Sequence, residues 1–195
     1  LRHNMNHLNG ILYTHEHSDH TAGLDDIRPF FFKQGDIPIY AHKRVVKSLK
    51  KRFGYILNEK DKYPGAPSVH INKVKKNAPF FIGDKEVIPI NVQHYKLQVF
   101  GFRVGDFTYL TDVKTIKEKE LEKIKGSKVV VVNALRLDPH ISHFNLKEAL
   151  AFIEIVKPEK AYFTHISHLL GFHDEVEKSL SIFICFFNLF ISVRK

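Results

Sequence analysis

Thr14-His15-Glu16-His17-Ser18-Asp19-His20, directly after the apolar run Ile11-Leu12-Tyr13, is the stretch on which the reading of this chain turns. It packs three imidazoles and the Asp19 carboxylate into the six residues from His15 to His20. Borderline nitrogen and hard oxygen together make a donor set suited to Zn2+ or Mn2+. The strand-like run before the cluster supplies a rigid base. The turn after it can fold His15 and His17 towards one ion, and Asp19 and His20 towards another. Composition agrees, since 13 His in 195 residues is a high count of the side chain that most often ligates metals.

Two other places repeat the pattern. Phe107-Thr108-Tyr109-Leu110-Thr111 leads to Asp112, and Ala161-Tyr162-Phe163-Thr164 leads to His165. Each is an apolar run, then Thr, then a metal-capable residue, as in Tyr13-Thr14-His15. In open α/β sheets, groups just beyond the carboxyl ends of strands gather at one edge, where sites lie. His94, in Val92-Gln93-His94-Tyr95, ends another such run and supplies the further nitrogen that a second ion needs. His42, His70, His140 and His173 lack this context and read as surface or packing residues.

Working outward, runs rich in β-branched and aromatic residues read as strands at Gly10–Thr14, Ile37–Ala41, Val87–Val92, Gln98–Val104, Phe107–Thr111, Lys128–Asn133 and Lys160–Thr164. Gly105-Asp106 suits a hairpin turn. Helical spacing appears over Lys43–Phe53, with Val45, Val46, Leu49 and Phe53 on one face. It appears again over Thr115–Lys125, where Gly126 supplies a stop. A third helix, Asn145–Val156, opens with Asn145 and Glu148 in capping-box spacing and directs Leu146, Ala149, Leu150 and Ile153 inward. Strands mixed with hairpins, then alternating with helices, predict an α/β layer architecture.

Thirty Lys and Arg against twenty-one Asp and Glu give a formal charge of +9, which favours anionic partners. Most of it lies in Lys33–Glu86, with thirteen basic residues against five acidic ones. That stretch reads as a solvated helix-bearing surface or as a rim attracting phosphates. A single Cys excludes a disulfide framework and a Cys-built zinc site, and suits a reducing compartment, so the cytoplasm is the expected location. Leu1-Arg2-His3-Asn4-Met5 does not read as a secretory signal. Leu180–Val193 is mostly apolar but falls short of the roughly 20 residues a spanning helix needs, and a final buried strand or helix is expected instead. The division expected is a hydrolase domain over 1–178 and an apolar segment over 179–195.

H-x-H-x-D-H after a strand, followed in order by His94, Asp112 and His165, resembles the metallo-β-lactamase superfamily. Ser142-His143-Phe144-Asn145, Thr164-His165-Ile166-Ser167-His168 and Thr21-Ala22-Gly23-Leu24-Asp25-Asp26-Ile27-Arg28-Pro29 resemble its branch containing the phosphoribosyl cyclic-phosphate phosphodiesterases, relatives of the tRNA 3′-processing endonucleases. The resemblance covers most of residues 8 to 178. It implies an αββα sandwich with two divalent ions at one edge. His15, His17 and His94 would hold one ion, Asp19, His20 and His165 the other, and Asp112 would bridge them. Members of that branch usually begin with roughly fifty further residues, so part of the N-terminal sheet is expected to be lacking.

Two such ions about 3.5–4 Å apart would yield a bridging hydroxide at neutral pH and clamp a phosphate oxygen. Asp19 would orient the nucleophile while ligating. His143 would contact the phosphate and protonate the leaving oxygen, as an imidazole with an ordinary pKa near 6.5 can. His168 would orient a ligand by hydrogen bonding. The function expected is hydrolysis of a small or cyclic phosphodiester, in a chain that pairs as a homodimer. Only 17 residues separate His94 from Asp112, enough for a hairpin and too few for a long tRNA-gripping arm, so RNA ranks second. Other ester or thioester hydrolysis by the same ligands, or a metal-binding fragment without activity, are the rival readings.

Overall fold

The computed structural model describes residues 5–58, 60, 62–180 and 184–186. It divides into two compact units, one running to Lys85 and one starting at Glu86.

In the first unit the clearest alternation is in β2 (Ile37–His42), where Ile37, Ile39 and Ala41 are buried and the residues between them only partly so. Such a period of two is what a half-covered strand requires. β2 pairs in parallel with β1 (Ile11–Leu12) on one side and β3 (Val69–Val74) on the other. α1 (Arg28–Gln34) carries Pro29 in its first turn and ends at Gly35, whose φ of 79° lies in the left-handed region that favours glycine. α2 (Lys43–Arg52) follows β2 directly and turns Val45, Val46 and Leu49 into the cluster formed by Tyr13, Leu24, Ile27, Ile37, Ile39 and Ala41. α3 (Gly54–Leu57) adds Ile56. β4 (Phe80–Ile82) closes the unit, with Phe80 stacked on Tyr40 at 5.1 Å. The sequence reading located β1, β2 and α2 and missed α1, α3, β3 and β4. β3 alternates only weakly amid lysines, and the others are short.

The second unit is built on a sheet in which β5 (Lys85–His94), β6 (Leu97–Val104) and β7 (Phe107–Tyr109) form antiparallel hairpins. Gly105 makes the second hairpin turn at φ 56°, as its position predicts. β9 (Val129–Asn133) and β10 (Lys160–Thr164) then add in parallel. Four consecutive valines in β9 are the continuous apolar run that a strand covered on both faces needs. Gly101 in β6 is obligatory, since a Cβ there would meet the Leu110 side chain at 2.2 Å and the Tyr109 carbonyl at 2.9 Å.

α5 (Leu146–Val156) starts at the expected capping box: Asn145 Oδ1 accepts the Glu148 N–H, and Glu148 Oε2 accepts the Asn145 N–H, both at 2.9 Å. Ala149, Phe152, Ile153 and Val156 are its buried face, with Leu146 and Leu150 at the margin.

The segment read as one helix, Thr115–Lys125, is different. Thr115–Ile116 form β8, paired with β5, and the helix is only α4 (Glu118–Leu121). The Glu120 carboxylate, 1% exposed, accepts the Asn91 N–H of β5 at 2.9 Å, and Lys123 donates to it at 2.7 Å and to the Pro89 carbonyl at 3.1 Å. Beyond α4 the chain runs on in turns, with the Ile124 N–H bonded to the Leu121 carbonyl at 2.9 Å. α6 (His173–Ser179) follows β10. Of the apolar stretch near the C-terminus, Ile184–Phe186 form β11, parallel to β10, and residues 181–183 and 187–195 lie outside the described residues. Among the described residues no helix is long and apolar enough to cross a membrane.

Candidate metal centre

Each unit assembles its own set of donors. In the first, β1 ends at Leu12 and the Tyr13 N–H still reaches the Tyr40 carbonyl at 2.9 Å, after which the chain leaves the sheet. His15 is fully buried, with Nδ1 3.1 Å from Thr14 Oγ1. His17 is extended and opens a 3-10 turn over Ser18–His20, which curls the next residues back. The ring of His15 therefore meets those of His17 and His20, at centroid distances of 4.6 and 4.3 Å. Asp19 Oδ2 lies 3.1 Å from His20 Nε2, and Asp19 is largely exposed.

The backbone of this turn is held from α2. Arg52 donates to the Glu16 carbonyl at 2.7 Å and to Ser18 Oγ at 3.1 Å, and Arg44 pairs with the Glu16 carboxylate at 2.7 Å. Thr21 Oγ1 donates to the His17 carbonyl at 2.8 Å. These arginines belong to the helix whose basic face reads from sequence as solvated or phosphate-attracting. Two of its cations instead brace the histidine turn. Burial pushes the Tyr13 phenol up to about 12 despite the nearby Arg52, so it stays neutral.

In the second unit three strand ends deliver His94, Asp112 and His165. Asp112 and His165 both sit in the left-handed backbone region, at φ 56° and 54°. Residues without glycine's freedom hold such a conformation only where their surroundings impose it. Asn133, buried at the end of β9, supplies that constraint next to Asp112: its Oδ1 accepts the Val113 N–H at 2.6 Å and its Nδ2 donates to the Val113 carbonyl at 3.1 Å. Thr111 Oγ1 donates to Asp112 Oδ1 at 2.7 Å, which explains the Thr in the strand-Thr-ligand pattern here.

Asp112 is 1% exposed and faces imidazoles on both sides. Its Oδ1 lies 3.2 Å from His165 Nε2, and its Oδ2 lies 3.3 Å from His143 Nε2 and 3.8 Å from His94 Nε2. The ring of His143 stands 4.5 Å from that of His94 and 4.8 Å from that of His165. His94 Nδ1 is 2.9 Å from the Ser142 carbonyl. A carbonyl can only accept, so the proton sits on Nδ1 and the Nε2 lone pair faces Asp112. That is the usual posture of a metal-ligating histidine, with the second nitrogen tied to a backbone acceptor. Donor atoms of His94, Asp112 and His143 lie within 4.8 Å of one another. The residues thus fit a divalent cation in both chemistry and orientation.

Several expectations meet the structure unevenly. His15, His17, Asp19 and His20 gather in the first unit, and His94, Asp112, His143 and His165 in the second. His168 is exposed at the start of a 3-10 turn capped by Ser167. His42 caps α2, accepting the Arg44 N–H at 3.4 Å. His140 is no mere surface residue: its Nδ1 is 3.2 Å from that of His143, and burial followed by His143 itself depresses its pKa. Asn133, Arg44 and Arg52 went unread in the sequence, and His140 was misjudged as surface or packing, because no composition or spacing marks a residue that acts by hydrogen bonding to a ligand's neighbour.

Comparison with known proteins agrees with this picture. The profile of the family described as beta-lactamase superfamily domain matches residues 1–166. A solved structure, described as a new diphosphatase from the PhnP family, is 32% identical with a TM-score of 0.83, covering 95% of this chain and 70% of that one. The metallo-beta-lactamase fold protein YhfI from Bacillus subtilis is 16% identical with a TM-score of 0.67, over 88% and 69% of the two chains. An octanoyltransferase of Porphyromonas gingivalis is 33% identical over 169 residues, which are 86% of this chain but only 34% of that protein. The present chain therefore spans about a third of that relative's length. A match over most of its own residues, with these donors at its strand ends, makes the chain a member of the metallo-β-lactamase superfamily of metal-dependent hydrolases.

Proposed function

We propose that residues 1–178 act as one binuclear phosphodiesterase domain, cleaving a small or cyclic phosphodiester. The observation that carries this reading is Asp112, a buried carboxylate that turns one oxygen to His165 and the other to His94 and His143. A bridging ligand needs that two-sided exposure to nitrogen donors. His15, His17 and His94 would hold one cation, and Asp19, His20 and His165 the other, with Zn2+ or Mn2+ matching the donor set. When bound, such ions neutralise phosphate charge and acidify water. The chain's own residues do the rest. Asp19, exposed at the turn, orients the attacking water and takes its proton towards solvent. His143 Nε2 contacts the phosphate and gives a proton to the leaving oxygen. His168 helps to orient the end of β10.

The diphosphatase at 32% identity supports phosphorus over carbon as the electrophile. The octanoyltransferase is a far longer protein whose name describes acyl transfer, a different chemistry. The reading includes a cytoplasmic homodimer acting on a phosphate-containing small molecule, with RNA as the second choice.

Elemental analysis and turnover of bis(p-nitrophenyl) phosphate test the proposal together. Two metals per chain and turnover that falls by about 10²-fold or more in His17→Ala are expected. Bound metal without turnover would replace the enzyme with a silent metal-binding module. Turnover of thioesters in place of phosphodiesters would move the chemistry to carbon.

A further inference from the structure

The loop from Ala134 to Asn145, between β9 and α5, contains a hydrogen-bonded group that the mechanism above leaves unused. Arg136 shapes it, donating to the carbonyls of Asp138 at 3.3 Å and Pro139 at 2.7 Å. The Ser142 N–H then points at His140 Nδ1, 3.3 Å away. Because that nitrogen accepts, it carries a lone pair, and the proton of His140 belongs on Nε2.

His143 Nδ1 lies 3.2 Å from the same His140 Nδ1 and 3.0 Å from Ser142 Oγ, which is itself 3.2 Å from His140 Nδ1. Two bare ring nitrogens at 3.2 Å would repel. Two proton arrangements remove the conflict. His143 Nδ1–H donates to His140 Nδ1, or it donates to Ser142 Oγ, whose own hydroxyl donates to His140 Nδ1. Both place a proton on His143 Nδ1. Both leave Nε2, 3.3 Å from Asp112 Oδ2, as the nitrogen that faces the chemistry.

We propose that His140 is a positioning residue: with Ser142 it receives the Nδ1 proton of His143, fixes that ring in one tautomer and orientation, and so commits Nε2 to delivering a proton to the leaving oxygen. The inference rests on the phosphodiesterase reading. In the step it serves, the oxygen of the attacking water forms a bond to phosphorus and the bond from phosphorus to the leaving oxygen breaks. His143 enters the step as an imidazolium, its Nε2 having first taken a proton from solvent. The leaving oxygen takes that proton, the N–H electron pair stays on Nε2, and the ring returns to its neutral Nδ1–H form. The Nδ1 proton stays where His140 holds it, and the water's proton departs by way of Asp19 to solvent.

The test uses the zinc-loaded full chain and two simple phosphodiesters that differ in their need for that proton. Nitrophenolate leaves from bis(p-nitrophenyl) phosphate unassisted, whereas diphenyl phosphate releases a more basic phenolate. His140→Ala should lower kcat on diphenyl phosphate by about 10²-fold, within the range general acids contribute, with KM little changed. The loss on the nitrophenyl ester should stay within about threefold, and His140→Asn, which keeps an acceptor oxygen, should restore most of the diphenyl phosphate activity. Long-range proton–nitrogen NMR of the imidazoles supplies a readout independent of turnover. His143 should show the Nδ1–H tautomer in the wild-type chain and a mixture in His140→Ala.

Equal losses on both esters, or an Nε2–H tautomer for His143 in the wild type, would overturn the inference. A wild-type chain that binds zinc yet cleaves neither ester would sink the phosphodiesterase reading and the proton delivery that depends on it. The spectra would still decide whether His140 fixes the ring.

Discussion

Asp112 and His165 occupy left-handed backbone, and neither is glycine. Each such residue costs about 1–3 kcal/mol, which the surroundings must offset. Around Asp112 the offset comes from Asn133, whose side chain satisfies both the N–H and the carbonyl of Val113. Asn133→Ala would leave the Val113 N–H unpaired, at about 1–3 kcal/mol in the absence of replacement water, while the Val113 carbonyl still accepts the Phe144 N–H at 2.6 Å. A lowered urea midpoint and weaker zinc binding are expected, read by denaturation curves and competition with a chelator. A variant as stable as wild type that binds zinc as tightly would mean that the turn holds itself. The positions of His94, Asp112 and His165 were legible in the sequence because strand ends announce themselves by pattern. Their backbone conformation was not, since Thr-Asp and Thr-His carry no glycine to signal it.

Secondary elements show the same division. α5 was readable to the residue at its start because a capping box is a local device, written in residues three apart. The stretch after Asp112 was not readable, since its fate depends on β5, more than twenty residues earlier in the chain. There the Glu120 carboxylate, projecting from α4, accepts from the Asn91 N–H and from Lys123.

Burial alone would raise the carboxyl's pKa, but the Asn91 N–H and the Lys123 ammonium outweigh it and hold the value below the ordinary 4.5. The sign for stability follows. The unfolded chain binds the proton more readily, so the contribution is complete above about pH 4.5 and is lost as pH falls through the lower folded value. Glu120→Gln should therefore be less stable than wild type near neutrality, with a shallower loss of stability on the acid side. Urea midpoints across that range would show it, and parallel acid profiles for the two proteins would refute the assignment.

Across the whole molecule, the superfamily was legible from the motif Thr14 to His20 followed in order by His94, Asp112 and His165, and the α/β class from strand runs that alternate with helical spacing. The excess positive charge was equally visible and harder to interpret. Arg44 and Arg52 prove to be committed to the histidine turn, which removes two of the thirteen basic residues counted in Lys33–Glu86 from any steering role. The remaining lysines still give that unit a positive field. For an anionic substrate kcat/KM should fall as ionic strength rises past the point where the Debye length is about 10 Å. A rate indifferent to added salt would assign the lysines to solubility alone.

The donors in the two units differ in how far apart they stand along the chain. His15 to His20 are neighbours before anything folds, whereas Asp112 and His165 come together only once β7, β9 and β10 have found their parallel register. A cation meeting the newly made polypeptide thus finds a partial seat waiting in the unstructured state. Affinity for that state subtracts from what the ion can contribute to the finished protein. The second unit's donors have no such early hold, so the ion's grip there begins only when long-range pairing, the slow part of assembly, is complete.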